Sequence, residues 1–416
     1  MPSNTLKENV RELSKRLYAA SKSVRILRNI NWPIEARETF FKNNCTQIPK
    51  VSYATFDPSE TLERVNHAKK LLPECGHFAD WGNRIAHKLE QGAYLLQSLG
   101  TPAFFTHSRE LYGAPMDILP DGKNSAMKFA RHFEKMYDHI DDLDLDLSNH
   151  RNIQPSVVHD KMKVAVQNMF GEDAPKIQIE EQVSSNVIAG RRRIRIRSSA
   201  LFSDLDIDQL IHHEAYIHVA TSLNGYHQKG LKILAASHPG TTKTQEGLAV
   251  FSEFISGAID LDRFRRLSDR ILAVQMAIDG ANFMDVFRYY REKIGEDEQA
   301  FESTRRVFRG GVITGGAPFT KDIVYLEGLL RVHNFLRIMV SAGRADLMKL
   351  LFVGKLDLND LTVLKEMERM GLLKPPKYLP PWMSDMRFLL TYLSYSNFLN
   401  TVDLGTAKEH YLDLLK

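Results

Sequence analysis

One stretch of the chain departs from helical periodicity, and that departure fixes its fold class. From Lys176 the sequence reads "KIQIEEQVSSNVIAGRRRIRIRSSALFSDLDIDQL", in which apolar and polar residues alternate. A period of two marks extended backbone, because successive strand side chains leave on opposite faces. "KIQIEEQ" and "RRRIRIR" are predicted strands, with Ala189 and Gly190 suited to a turn before the second. In the second, Arg193, Arg195 and Arg197 share one face while Ile194 and Ile196 take the other. Such a charged strand is expected at a sheet edge. Its arginines would then either discourage sheet-to-sheet association or attract an acidic peptide to the free backbone.

Before this switch the period is helical. Apolar residues recur at three and four from Glu8 to about Leu27, and "WPIEARETFFKNN", "SETLERVNHAKKLL", "FADWGNRIAHKLEQGAYLLQSLG" and "SAMKFARHFEKMYDHIDDL" are further predicted helices. "DDLDLDLSNHRNIQPS" shifts to Asp, Asn and Pro and is the expected linker. The chain therefore divides into a helical region at 1–150 and a second region at 151–416. The whole is a predominantly helical α+β protein.

Composition narrows the function classes. The 416 residues carry a net charge of +4, too little for a dedicated nucleic-acid binder. Cys45 and Cys75 are the only cysteines, too few for a disulfide framework or a thiolate zinc site, so a reducing, cytoplasmic setting is expected. No window approaches 18 uninterrupted apolar residues and the N-terminus lacks a signal-peptide core, so no membrane association is expected.

The chemistry concentrates in "HHEAYIH", His212 to His218. The zinc-peptidase pattern H-E-x-x-H sets two histidines four apart on one helical face, with the Glu as base. Here the fourth position holds Ile217 and the histidine follows at 218, giving H-E-x-x-x-H. On a regular helix, residues five apart diverge by roughly 140° and cannot share an ion. One inserted residue, a π-bulge, would restore a common face. The other reading is a polar helical face with one or two core histidines. The helix is expected to start at Ser203 or Asp204 and to stop near Asn224–Gly225.

A third ligand would come from the next helix, "HPGTTKTQEGLAVFSEFISGAI". Glu246 sits in its first turn, where an acid also suits the helix dipole and where Thr242 with Gln245 resembles a capping box. Glu253, seven residues on, occupies nearly the same face and is expected to support the site or to be a salt-bridged surface acid.

"TQEGLAVFSEF" carries the signature of the flavohaemoglobin expression-modulating QEGLA-motif proteins, a group that looks homologous to the microtubule-associated tyrosine carboxypeptidases. "NWPIEARETF", "ELYGAP", "IHHEAYIHVATSLNG", "RRVFRGG" and "FTKDIVYLEGL" extend the resemblance over most of the chain. It implies a gluzincin-like metallopeptidase core beside a small antiparallel sheet. One zinc ion would be held by His213, His218 and Glu246, with Glu214 as the catalytic base. The implied activity is removal of a C-terminal residue from a protein or peptide tail, an acidic tail being the kind the arginines of "RRRIRIR" would attract. The alternative is a non-catalytic regulator that modulates flavohaemoglobin expression through a protein partner. Where relatives tend to have a small Gly, this chain has Tyr216, which could narrow a pocket or alter the bulge.

The chemistry of such a site nominates further residues. Tyr325 is the candidate donor to a developing oxyanion. Among Arg305, Arg306 and Arg309, Arg309 is the candidate partner of the substrate's terminal carboxylate. Lys321 could also reach that carboxylate, and Asp322 could orient it or His227. His132 and His139 next to "DDLDLD" are expected on a solvated acidic face, His238 as an exposed loop residue, and His212 as a packing residue off the His213 face.

Overall fold

A computed structural model describes residues 4–141, 151–181, 183 and 185–414. The helices predicted before residue 142 are present as Asn4–Ser21, Ile34–Lys42, Ser59–Lys69, Ala79–Gln97 and Ala126–Asp141, the second of them with Pro33 as its N-cap. The expected linker falls mainly on 142–150, outside the described residues.

The elements that position the site are α1 (Pro155–Phe170), the strands β1 (Lys176–Glu180), β2 (Val187–Gly190) and β3 (Arg193–Arg197), and a long helical rod, α2, over 204–227. Beyond it lie α3 (Thr242–Ile255), α4 (Leu261–Ile278), α5 (Asp297–Phe308) and α6 (Val324–Ser341).

The sheet corrects three expectations. Its order is β1-β3-β2, with β3 parallel to β1 and antiparallel to β2, so it is mixed rather than antiparallel and "RRRIRIR" is its central strand. Ala189 and Gly190 belong to β2, and the turn falls on Arg191 and Arg192. The alternation itself was sound. Ile194 and Ile196 are fully buried against Val158 and Met162 of α1, while the arginines line the more open face. A sheet covered on one side accepts charge on the other at any strand, so arginine density marks the open face and not the edge.

Two cores meet at α2. The smaller gathers α1, the β3 isoleucines, Ala215, Val219 and Ala220; the larger spans residues from Val10 to Leu393 and takes in Ile217. This rod is therefore the wall between two packed regions, which fixes its rotation. The larger core also joins α3 to α6 backbone to backbone: a Cβ added at Gly247 would lie 2.3 Å from the carbonyl carbon of Gly328. Only glycines permit that approach, and it brings the start of α6 beside Glu246.

Candidate metal centre

Ser203 caps α2, accepting the Asp206 amide while the Asp206 carboxylate accepts the Ser203 amide. The rod is α-helical over Asp204–Leu210, π-helical over Ile211–Val219, and α-helical again over Ala220–His227. The five-residue spacing of the histidines is thus accommodated by the irregularity it demanded. The rod runs to His227, two residues past the expected stop at Asn224–Gly225, and Gly225 serves packing instead: an added Cβ there would come within 2.0 Å of the Leu234 carbonyl oxygen.

His213 Nε2 lies 3.5 Å and His218 Nε2 3.4 Å from the same atom, Glu246 Oε2. Donor atoms of the three residues all fall within 4.8 Å of one another, and no other such group occurs among the described residues. Atoms bound about 2.0–2.2 Å from a tetrahedral zinc stand roughly 3.3–3.6 Å apart, so the two histidine–Glu246 separations fit that ion, as does a set of two imidazoles and a carboxylate.

The supports behind the three candidate donors are specific. His213 Nδ1–H donates to Glu253 Oε1 at 2.6 Å, and Glu253 accepts two further bonds from Arg263, at 2.9 and 3.0 Å. Glu253 is fully buried, so it supports the site and is not a surface acid. The Thr221 hydroxyl lies 2.7 Å from both the Ile217 carbonyl and Gln245 Oε1, tying α2 to α3. Gln245 is thereby committed, and the N-terminus of α3 has no side-chain cap, so the expected capping box is absent.

Electrostatics concentrate here. Burial disfavours a charged His213, yet Glu246 and Glu253 hold its pKa up at about 10. Burial also works against the Glu246 carboxylate, but Lys321, His213 and His218 outweigh it and keep the pKa well below the ordinary value. Glu253 falls to about 2 against the same burial, because Arg263 and His213 stabilise its charge.

The model of the family described as microtubule-associated tyrosine carboxypeptidase matches residues 38–401. The chain belongs to that family. No individually curated protein matches it. Membership in this carboxypeptidase family supplies the chemical context for the remaining residues, and it agrees with the likeness read from "QEGLA".

Glu214 stands beside the donor group and accepts the Ala189 amide of β2 through Oε2 at 3.2 Å. Lys321 Nζ lies 3.2 Å from Glu246 Oε1. Tyr325 opens α6 with its ring under Lys321 Nζ at 5.1 Å and under the Arg270 guanidinium at 4.8 Å. Burial raises the Tyr325 phenol, as does Glu246, but Lys321 and Arg306 bring it below its ordinary value. Of the three nominated arginines, Arg305 bonds Glu302 and Asn31, and Arg306 holds Asp322 through two bonds at 2.7 and 2.8 Å. Arg309 is 5% exposed, lies over Phe319, and its Nε has no partner. Asp322 therefore orients Arg306, not Lys321, and His227 pairs instead with Asp173 at 3.2 Å.

The remaining histidines sort by burial. His132 and His139 are exposed as expected. His238 is 7% exposed, which corrects its reading as a surface residue. His212 meets Tyr216 edge-on at 5.2 Å, and Tyr216 packs against the smaller core.

Three residues near the donors carried no sequence signal. Arg263 and Arg270 lie in "LDRFRRLSDRI", which scans as a solvated helical face. Lys355 sits alone in a loop, yet burial brings its ammonium to about 8 while Glu246 and Glu214 oppose that fall. Its charge thus stands within reach of both acids.

Proposed function

We propose that this chain is a zinc-dependent carboxypeptidase that releases one residue from the C-terminus of a protein or peptide tail. The observation that carries the reading is the convergence of His213, His218 and Glu246 on one point, with Glu214 next to it. Zinc held by these three side chains would supply a Lewis acid and a water of lowered pKa.

The chain's own residues account for the rest. Glu214 accepts a proton from the attacking water and returns it to the departing amine, so the peptide C–N bond breaks while the acyl carbon gains the hydroxyl. Tyr325 and Lys321 are donors for charge developing on the carbonyl oxygen or for the terminal carboxylate. Arg309, whose Nε is buried without a partner and which makes no ion pair among the described residues, is the candidate receptor for that carboxylate.

β2 is an edge strand, and its Ala189 amide already points at Glu214. An extended substrate can therefore add to the sheet alongside the base. A groove of about 170 Å³ beside it is lined by Ile188, Ala189, Gly190, Arg192, Arg193 and Arg195. Those arginines favour an acidic tail. No helix among the described residues is long and apolar enough to cross a membrane, and the free thiols Cys45 and Cys75 suit a reducing compartment.

The test is metal analysis of the purified chain together with Glu214→Gln. One zinc per chain, and release of a C-terminal amino acid that is lost in the zinc-retaining variant, would support the enzyme. Zinc with no release from any tail would favour the regulatory alternative, especially if cellular effects persist in Glu214→Gln.

A further inference from the structure

Near the C-terminal end of the chain two helices leave an apolar face uncovered. α7 (Arg387–Leu399) buries Leu389 and Leu393 in the larger core, and its Asn397 Nδ2 donates to the Arg337 carbonyl of α6 at 3.2 Å. On another side of α7, Phe388, Tyr392, Tyr395 and Leu399 follow one another at four, three and four residues, and Val402 extends the series. That is the spacing of a coiled-coil seam, whose apolar positions face a partner helix. Tyr392 closes the inner margin, its ring 5.8 Å from that of His333 on α6 and 6.4 Å from that of Phe388. The rest is open. Phe388, Tyr395 and Phe398 are 65, 61 and 64% exposed, and Leu399, Val402, Leu404 and Leu412 are exposed with them, the last two on α8 (Leu404–Asp413).

The size and charge of this face select its occupant. Aromatic side chains bury about 150–250 Å² each, so the three open rings alone present about 300–450 Å². The exposed leucines and the valine carry the face toward the roughly 800 Å² that each partner buries in a standard interface, past the largest apolar patch of about 300–600 Å² on a typical monomer. From Phe388 to Val402 no residue is charged and none is a histidine. A helix that lies on a membrane carries lysines or arginines on its polar face, whereas the polar positions here are Thr391, Ser394, Ser396 and Asn397. What matches the seam is the same seam reversed. In an antiparallel pair centred on Tyr395, Phe388 of one copy falls opposite Val402 of the other, and Arg387 falls opposite Asp403. The Arg387 side chain is 90% exposed beside Asp385, and Asp403 is exposed, so both ends of the pair meet with opposite charge.

We propose that this chain forms a two-fold symmetric homodimer through α7, packed antiparallel against its copy with Tyr395 on the two-fold axis. A closed two-fold contact uses one self-complementary patch and leaves none of it over. The interface lies on the far half of α6. At 1.5 Å of rise per residue, Arg337 stands about 18 Å along that helix from Tyr325, so pairing leaves the Tyr325 end of α6 uncovered in both copies. The dimer does not depend on the carboxypeptidase reading, and either can fail without the other.

Sedimentation equilibrium of the full-length chain is the test. At micromolar concentration the expected species has twice the chain mass. Tyr395→Glu sets two carboxylates together on the axis and should weaken dimerisation at least about 100-fold, with the far-ultraviolet circular dichroism of the parent chain. Tyr395→Ser, which only removes the ring, should weaken it less. Cross-linking reads the register: in a Cys45→Ser background, Tyr395→Cys should oxidise to a covalent dimer and Phe388→Cys should not, since Phe388 and its copy lie at opposite ends of the seam. The remaining thiol, Cys75, is buried. A monomer at every concentration would overturn the proposal, and binding of that monomer to phosphatidylcholine or phosphatidylserine vesicles would assign the face to a membrane instead. A dimer that survives Tyr395→Glu would overturn the choice of surface. Cross-linking through Phe388→Cys and not through Tyr395→Cys would overturn the antiparallel packing.

Discussion

The 2.6 Å bond from His213 Nδ1 to Glu253 Oε1 decides which nitrogen of His213 faces Glu246. With Nδ1 committed as a donor to Glu253, Nε2 is the nitrogen that faces the Glu246 carboxylate and is the one available to a metal ion. Arg263 in turn fixes Glu253 from the other side.

Glu253→Gln is therefore expected to weaken zinc binding by about 10- to 100-fold without touching a ligand. Competition against a chromophoric chelator measures this directly. Glu253→Ala carries a second cost, because Arg263 is left buried and alone; about 3–5 kcal/mol of stability should be lost in urea unfolding. Unchanged zinc affinity in both variants would remove Glu253 from the account of the site.

Gly247→Ala tests the backbone contact that brings α6 to Glu246. The new methyl group would meet the Gly328 backbone at 2.3 Å, and neither helix has a flexible side chain there to yield. Overpacking of this kind typically costs about 1–3 kcal/mol. Chemical denaturation should show that loss, with zinc affinity falling in parallel as Glu246 and Lys321 separate.

Much of the site was legible because metal chemistry restricts residue types and spacing. His213 and His218, five apart, can face one point only on a distorted helix, so the π-helical segment followed from their spacing. The cluster around Tyr325 was legible only in part: Tyr325, Arg306, Arg309, Lys321 and Asp322 were nominated, while Arg270 of α4 was not. Its members come from α4, α5 and α6 and the turn before α6, and in "LDRFRRLSDRI" the arginines have the spacing of a solvent-facing stripe. Burial of Arg263 at 7% exposure depends on Glu253, which lies on α3. Sheet order was illegible for a related reason: period-two alternation records which face is covered, while pairing depends on chain reversals that "VIAGRRRIR" encodes only weakly.

Acid should destabilise the chain through His238. Burial depresses its pKa to about 4 from an ordinary value of 6.5, with Asp357 opposing. The folded state then binds fewer protons than the unfolded state between those values, so stability rises with pH across that window and is complete above about 6.5. The contribution is on the order of 3 kcal/mol. His238→Gln should flatten the pH dependence of urea unfolding between pH 4 and 6.5, and an unchanged slope would assign the acid sensitivity elsewhere.

Deleting Tyr216 tests the origin of the irregular turn. The shortened segment reads H-E-A-I-H, the spacing at which a regular α-helix sets two histidines on one face. If the π-helical stretch arises from one inserted residue, its removal restores α-helical hydrogen bonding and leaves the register on both sides unchanged. Ser203 remains the cap, and Thr221 still meets Gln245. Zinc stoichiometry should then stay at one per chain. The melting temperature should hold or rise, because the π segment gives way to better hydrogen-bond geometry. Loss of zinc from a folded deletion variant would mean that the nine-residue π segment itself sets the ligand geometry, with no α-helical equivalent.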